Sequence, residues 1–237
     1  YPLRRQRQMC IRDRLLIDYG KAHGFVIYHQ PKGPDSVTLL YPEQATLHYT
    51  LPEFDVRLEF LPTDFTQVNS AINRHMISHA LQLLDVGPAD RVLELFCGLG
   101  NFSLPLARRS REVVAIEGEM DLIRRARANA GLNGIGNVTF HVANLFEETT
   151  AEPWLKGQSY DKVLLDPPRS GAAEMVPQLA ASGAVRIVYV SCNPATLARD
   201  AGELVNRYGY RLVKAGIMDM FPHTAHVESI ALFVKGE

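Results

Sequence analysis

The chain has 237 residues, 46% of them hydrophobic, and a formal net charge of −1. That length can bury one full-sized domain and part of another. No apolar stretch reaches about 18 residues and no secretory signal pattern occurs, so neither a membrane span nor export is expected. Three unevenly spaced Cys without a CxxC exclude a disulfide framework and a zinc site, and a reducing cytoplasm is the expected compartment.

Residues 1–14, YPLRRQRQMCIRDR, have no hydrophobic period, and Met9 to Arg14 resembles a translated sequencing adaptor. The segment is set aside from fold reasoning as non-native; the alternative is a basic arm that binds nucleic acid. Its five Arg and one Asp carry +4, which leaves −5 for the remainder. RNA affinity in the remainder would have to come from local patches or a missing domain. Residues 15–62 alternate short β-like runs (Gly24–His29, Val37–Tyr41, Ala45–Tyr49, Val56–Leu61) with turns, and read as part of a small antiparallel β domain. From residue 66 the pattern changes. Apolar residues at Ile72, Met76, Ile77, Ala80, Leu81 and Leu84 predict a helix over 69–84. Strands near 91–95, 112–116, 137–142, 161–165 and 186–190 then alternate with helices, which predicts an α/β, doubly wound parallel sheet. Runs 209–218 and 226–234 predict two final strands joined by Phe221 to Thr224, hence antiparallel to each other.

Motifs cluster at the carboxyl ends of these strands, where open α/β sheets bind ligands. After the first strand come Phe96-Cys97-Gly98-Leu99-Gly100-Asn101-Phe102. Gly98 and Gly100 allow a tight turn and close approach to a ligand. Glu117 ends the second strand, where a carboxylate can accept both ribose hydroxyls of an adenosine-type cofactor, and Asn144 follows the third. A dinucleotide fingerprint would need glycine at Ser103, so S-adenosylmethionine suits this loop better than NAD. Cys97 reads as a small packing residue. The fourth strand runs into Asp166-Pro167-Pro168-Arg169. Amino-group methyltransferases often carry an aromatic residue where Arg169 stands, which argues against amine methylation. A merely rigid turn is the alternative.

The fifth strand runs into Ser191-Cys192-Asn193-Pro194, with Pro194 suited to the first position of a helix. The positive end of that helix would favour the Cys192 thiolate, the nucleophilic form; a buried structural Cys is the alternative. Glu228, in His226-Val227-Glu228, is a candidate base because burial raises a carboxyl pKa toward neutrality; otherwise it is an exposed strand residue. His223 and His226 read as loop or packing residues, not metal ligands.

Together these blocks, with Phe65-Thr66-Gln67-Val68-Asn69, resemble the RNA uracil-5-methyltransferase family from about residue 15 onward. Asp219 to Thr224 and Asn193 to Asp200 lean toward members that act on 23S rRNA and away from those that act on tRNA. The resemblance implies a class I S-adenosylmethionine-dependent, Rossmann-like methyltransferase domain over 63–237. It implies that Gln67, Phe96, Asn101, Glu117, Asn144 and Asp166 hold S-adenosylmethionine, with Cys192 as nucleophile and Glu228 as base. Members of this kind also carry an RNA-binding domain and four Cys for an iron–sulfur cluster. Neither is visible in this sequence, so a fragment acting as a monomer on RNA, without DNA or membrane, is expected. Three other readings stay open: the same chemistry on tRNA, an NAD-dependent oxidoreductase, and a non-catalytic RNA- or cofactor-binding module.

Overall fold

The computed structural model describes residues 2–147 and 149–236, the side chains of residues 2–10 excepted. Two compact units form. One takes in residues up to His48 with Glu59–Phe65, and the other takes in Tyr49–Leu58 with everything from Thr66 on.

The first unit opens with a helix, α1 (Pro2–His23), which the sequence reading did not anticipate. Arg, Gln, Leu and Met favour helix without any apolar period, and the side chains described, such as Leu15 and Tyr19, are largely exposed. The expectation that residues 1–14 are foreign falls mostly on side chains outside the described residues. Gly20, where an added Cβ would lie 2.8 Å from the Tyr41 ring, lets α1 pass close to the strands β1 (Ile27–His29) and β2 (Thr38–Tyr41), which pair antiparallel.

Strands β3 (Leu47–Leu51) and β4 (Val56–Phe60) form a second two-stranded sheet. Its inner part belongs to the second unit because Leu51, Phe54, Val56 and Leu58 are buried. The division between the two units runs through this hairpin.

The second unit is a seven-stranded sheet. Its strands are β5 (Arg91–Leu95), β6 (Glu112–Glu117), β7 (Val138–Val142), β8 (Lys162–Leu165), β9 (Arg186–Ser191), β10 (Tyr210–Met218) and β11 (Glu228–Lys235), in the order β10-β11-β9-β8-β5-β6-β7. Strands β5 to β9 pair in parallel, whereas β11 lies antiparallel between β9 and β10. The central strands are buried along nearly their whole length, as both-sided parallel strands must be. Helices α2 (Ser70–Leu84), α3 (Ser103–Ala107), α4 (Met120–Leu132), α5 (Val176–Ala181) and α6 (Pro194–Tyr208) make the connections. Asn69 caps α2 and Asn193 caps α6, each accepting a backbone N–H of the first turn. This is the α/β, doubly wound, Rossmann-like arrangement expected from the strand and helix alternation. Among the described residues no helix is long and apolar enough to cross a membrane, and no group of side chains could hold a metal ion.

One buried carboxylate ties the loop after β8 to the sheet. Asp200, fully buried in α6, accepts hydrogen bonds from the Tyr189 hydroxyl at 2.7 Å, from Ala172 N at 2.9 Å and from Arg199 Nε at 2.8 Å. Gly171 passes this cluster at φ +82°, where a Cβ would lie 2.5 Å from Arg199 Nη2 and 2.7 Å from Asp200 Oδ2. Gly171→Ala is expected to destabilise the domain by about 3 kcal/mol or more, through clash and left-handed strain. Gly183 has the same φ but nothing within 4 Å, so Gly183→Ala should cost only about 1 kcal/mol. Denaturant unfolding of the two variants side by side measures the difference, and equal losses would show that the Asp200 cluster yields.

Candidate active site

Strand register assembles the site. The antiparallel β9–β11 ladder pairs Ser191 with Ser229. Cys192 follows Ser191 on one strand and Glu228 precedes Ser229 on the other, and the Glu228 charge acts on the Cys192 thiol. The parallel β8–β9 ladder pairs Leu165 with Tyr189, so Asp166 leaves the sheet on the same edge. Residues 26 to 62 positions apart in sequence thus meet at one end of the sheet.

Their electrostatics follow from that crowding. Glu228 is buried, and desolvation followed by the charge of Asp166 pushes its carboxyl up to about 8. Burial pushes Asp166 up to about 7. The Cys192 thiol is also raised, by desolvation first and then by Glu228 and Asp166, with the Arg169 cation opposing. Partial burial, and then the two carboxyls, act against the thiolate that the end of α6 would favour. Arg169 stands at the mouth, its Nη1 3.2 Å from His226 Nδ1. The backbone oxygen of Arg169 accepts from Asn193 Nδ2 at 2.9 Å and from the Thr196 hydroxyl at 3.2 Å. The cap of α6 therefore also fixes the Asp166-Pro167-Pro168-Arg169 loop against Cys192.

The glycine loop after β5 forms the adjoining half. Glu117 Oε2 accepts the Gly98 N–H at 3.0 Å, and its Oε1 accepts from Gly118 N at 2.7 Å and Glu119 N at 3.3 Å. The carboxylate is oriented by the loop and has acceptor capacity left for a further donor. Gly98 and Gly100 hold φ +56° and +100°, and a Cβ on Gly98 would meet nothing within 4 Å, so the loop faces open space. Phe96, itself at φ +62°, is a strained residue at the start of this loop, its ring 5.7 Å from that of Phe146. Asn144 is exposed, with its amide turned onto its own loop through Glu147 Oε1 at 2.7 Å and Phe146 N at 3.1 Å.

Asn101 and Gln67 differ sharply in partners. The Asn101 amide makes a reciprocal pair with Asn73, at 3.0 and 3.1 Å, and accepts from the Tyr49 hydroxyl at 2.8 Å. It anchors the loop to α2 and β3, with one amide hydrogen left over. Gln67 Oε1, by contrast, is buried without a hydrogen-bond partner among the described residues. An orphaned acceptor of this kind fits a site built for a donor-bearing ligand.

Glu94 escaped the sequence reading. It is 1% exposed within β5, and burial, then Asp166 and Glu117, push it up to about 8. A hydrogen bond with the Ser103 side chain opposes that rise. A carboxylate inside the apolar run Val92-Leu93-Glu94-Leu95 was the available signal, because charge is otherwise excluded from a both-sided parallel strand. Cys97 is buried, its thiol raised well above the usual range by burial first and then by Glu94 and Glu117, in keeping with a packing role.

The chain as a whole resembles known proteins. The model of a family described as tRNA (Uracil-5-)-methyltransferase matches residues 44–236. The 23S rRNA (uracil(1939)-C(5))-methyltransferase RlmD of Xanthomonas axonopodis pv. citri is 54% identical over 234 residues, 98% of this chain and 52% of that protein. Most of the 1–14 segment lies inside that span. The RlmD of Methylococcus capsulatus is 59% identical over 93% of this chain and 50% of its own length. The chain therefore spans about half the length of the curated relatives it matches. Among solved structures, Pyrococcus abyssi tRNA (uracil-54, C5)-methyltransferase in complex with S-adenosyl-L-homocysteine superposes with a TM-score of 0.70 at 29% identity, over 88% of this chain and 50% of that one. By the span of the family model and by the identity of these relatives, the chain belongs to the tRNA (uracil-5-)-methyltransferase family.

Proposed function

We propose that this chain is the catalytic half of an S-adenosylmethionine-dependent enzyme that methylates carbon 5 of a uridine in 23S rRNA through a covalent Cys192–uracil adduct. The observation that carries the reading is the meeting of Cys192 with Glu228 across the β9–β11 register, beside Asp166. Identity of 54–59% to relatives named for 23S rRNA, against 29% to the solved tRNA enzyme, favours rRNA over tRNA. Monomeric action in the cytoplasm, on RNA and not DNA, completes the proposal.

Gln67, Phe96, Asn101, Glu117, Asn144 and Asp166 would hold the cofactor. The orphaned Gln67 oxygen, the open face of Gly98 and the spare acceptor capacity of Glu117 fit a ligand with amine, amide or hydroxyl donors. Bound there, S-adenosylmethionine would supply an electrophilic methyl group. Carbon 5 of uracil is a poor nucleophile until Cys192, having lost its proton, adds to carbon 6. The electron pair then moves to carbon 5, which takes up the methyl group. Glu228 removes the carbon-5 proton, and the returning pair expels Cys192 as thiolate. The base must leave its stack to reach Cys192, at a cost of a few kcal/mol.

The two residues are expected to fail differently. Cys192→Ala should give no adduct with target RNA, whereas Glu228→Gln should methylate and then stall as a crosslinked species visible on a denaturing gel. A shifted band that persists in Cys192→Ala would overturn the assignment. Nucleoside mass mapping of rRNA and tRNA, from a deletion strain expressing this chain, tests the substrate.

The pH dependence has a definite sign. Cys192 and Glu228 both act deprotonated, and both carry raised pKa values, about 8 for Glu228. Hence kcat/KM should climb with pH from 6 through 8, more steeply than tenfold per unit while both groups are protonated, and keep climbing above 8 because the Cys192 thiol lies above its ordinary 9.0. A profile flat from pH 6 to 9 would remove Glu228 as the base.

Glu117→Ala should weaken S-adenosylmethionine binding about tenfold or more, because hydrogen bonds to a charged acceptor are each worth about 1.5–3 kcal/mol. The same change frees the Gly98 N–H that Glu117 holds. Calorimetry showing equal affinity for wild type and variant would reject the assignment.

A further inference from the structure

A groove of about 460 Å³ opens beside the catalytic loop, lined in part by Val68, Ser70, Ala71, Met220, Phe221 and Pro222. We infer that this groove is the subsite for a nucleotide of the RNA that flanks the target uridine, an inference that rests on the function proposed above.

Location is the first argument. The groove and the candidate base share one loop: Thr224 lines the groove and Glu228 begins β11 four residues later. A chain of contacts also leads inward. The Phe221 ring stands edge-on to His226 at 6.1 Å, His226 Nδ1 lies 3.2 Å from Arg169 Nη1, and the Arg169 cation acts on Cys192. A strand that delivers one flipped base to Cys192 must run its neighbours past this mouth.

The lining chemistry suits a nucleotide. Val68 is 76% exposed and, with Phe221 and Pro222, gives an apolar floor for a base to rest on, a sequence-tolerant contact because every base has a π face. Ser70 and Ala71 are the first two residues of the 15-residue helix α2. The Asn69 side chain accepts the Ile72 N–H, and the first-turn N–H groups of Ser70 and Ala71 have no intrahelical acceptor. They stand on the positive end of the helix, where a phosphate is favoured. The groove lining contains no carboxylate, in a chain whose net charge is −1. Apolar faces beside uncapped backbone donors match base and phosphate together.

The loop is also pre-shaped. The Thr224 hydroxyl and N–H both donate to the Phe221 carbonyl, at 2.8 and 3.2 Å, and the His226 N–H donates back to the Thr224 oxygen at 3.2 Å. His223 holds φ +67°, a strained position for a non-glycine residue.

The test is photo-crosslinking of the full chain to a 23S rRNA fragment centred on the uridine that the relatives' name specifies. 4-Thiouridine replaces, one at a time, the nucleotides within two positions of the target, and crosslinked peptides are identified by mass spectrometry. At least one flanking position should crosslink within residues 68–71 or 219–224. Phe221→Ala and Val68→Glu should each lower that crosslink at least fivefold, while thermal stabilisation by S-adenosylmethionine stays as in wild type and certifies the fold. Flanking nucleotides that crosslink only elsewhere or not at all, or a groove crosslink indifferent to both variants, would overturn the subsite. Methyl transfer to the same RNA, measured in parallel, separates the two ideas. A groove crosslink without methylation counts against the proposed function and, with it, overturns the groove as a subsite flanking a target uridine; methylation without a groove crosslink keeps the function and overturns the subsite alone.

Discussion

The antiparallel insertion of β11 between β9 and β10 is the constraint on which the site depends. A parallel strand in that place would bring its carboxyl end to the ligand edge and leave its start at the far side. Reversal puts the start of β11, and so Glu228, at the same edge as the end of β9. Because an antiparallel ladder is paired residue by residue, the Ser191–Ser229 pair fixes what stands beside Cys192. A slip of one residue would turn Glu228 to the other face of the sheet. The long β10–β11 ladder, from Tyr210–Lys235 to Met218–Glu228, secures that register from the outer side.

The same edge concentrates acid. Glu94, Asp166 and Glu228 are all pushed up by burial, and each is raised further by a neighbouring carboxyl or raises one. A folded-state carboxyl held above its unfolded pKa favours the protonated form. Its contribution to stability is present in acid and fades as pH rises from the ordinary carboxyl range toward 8. That destabilisation is concentrated where function needs it, since a carboxyl poised near neutrality can take a proton and an ordinary one cannot. Arg169, at the mouth, and a backbone hydrogen bond act against the negative potential at Cys192.

Rigid anchoring surrounds this unfavourable cluster. Asp200 clamps Ala172 and Tyr189, Asn193 and Thr196 hold the Arg169 carbonyl, and Asn101 ties the glycine loop to Asn73 and Tyr49. Each anchor joins two elements distant in sequence. Together they keep polar loops in one geometry before any ligand contributes its own interactions.

Much of this was legible in the chain itself. Every strand of the large sheet lies within a few residues of its predicted run, because both-sided burial demands continuous apolar segments and Gly, Pro and Asn mark their ends. Phe96, Glu117, Asp166 and Cys192 could be named because each lies at or directly after the carboxyl end of such a strand. Helix α1 was not legible, since propensity without periodicity leaves no pattern to read. Nor was Glu94, whose desolvation exists only once β6 and β8 close over β5. The setting of Cys192 was only half legible for the same reason. A helix end is a local feature visible in Asn193-Pro194, but the opposing carboxyls of Glu228 and Asp166 arrive from other strands. Sequence by itself determined which residues stand at strand ends. Tertiary structure alone decided which of them face one another and how their charges interact, because register and burial depend on chain segments that are far apart until the sheet closes.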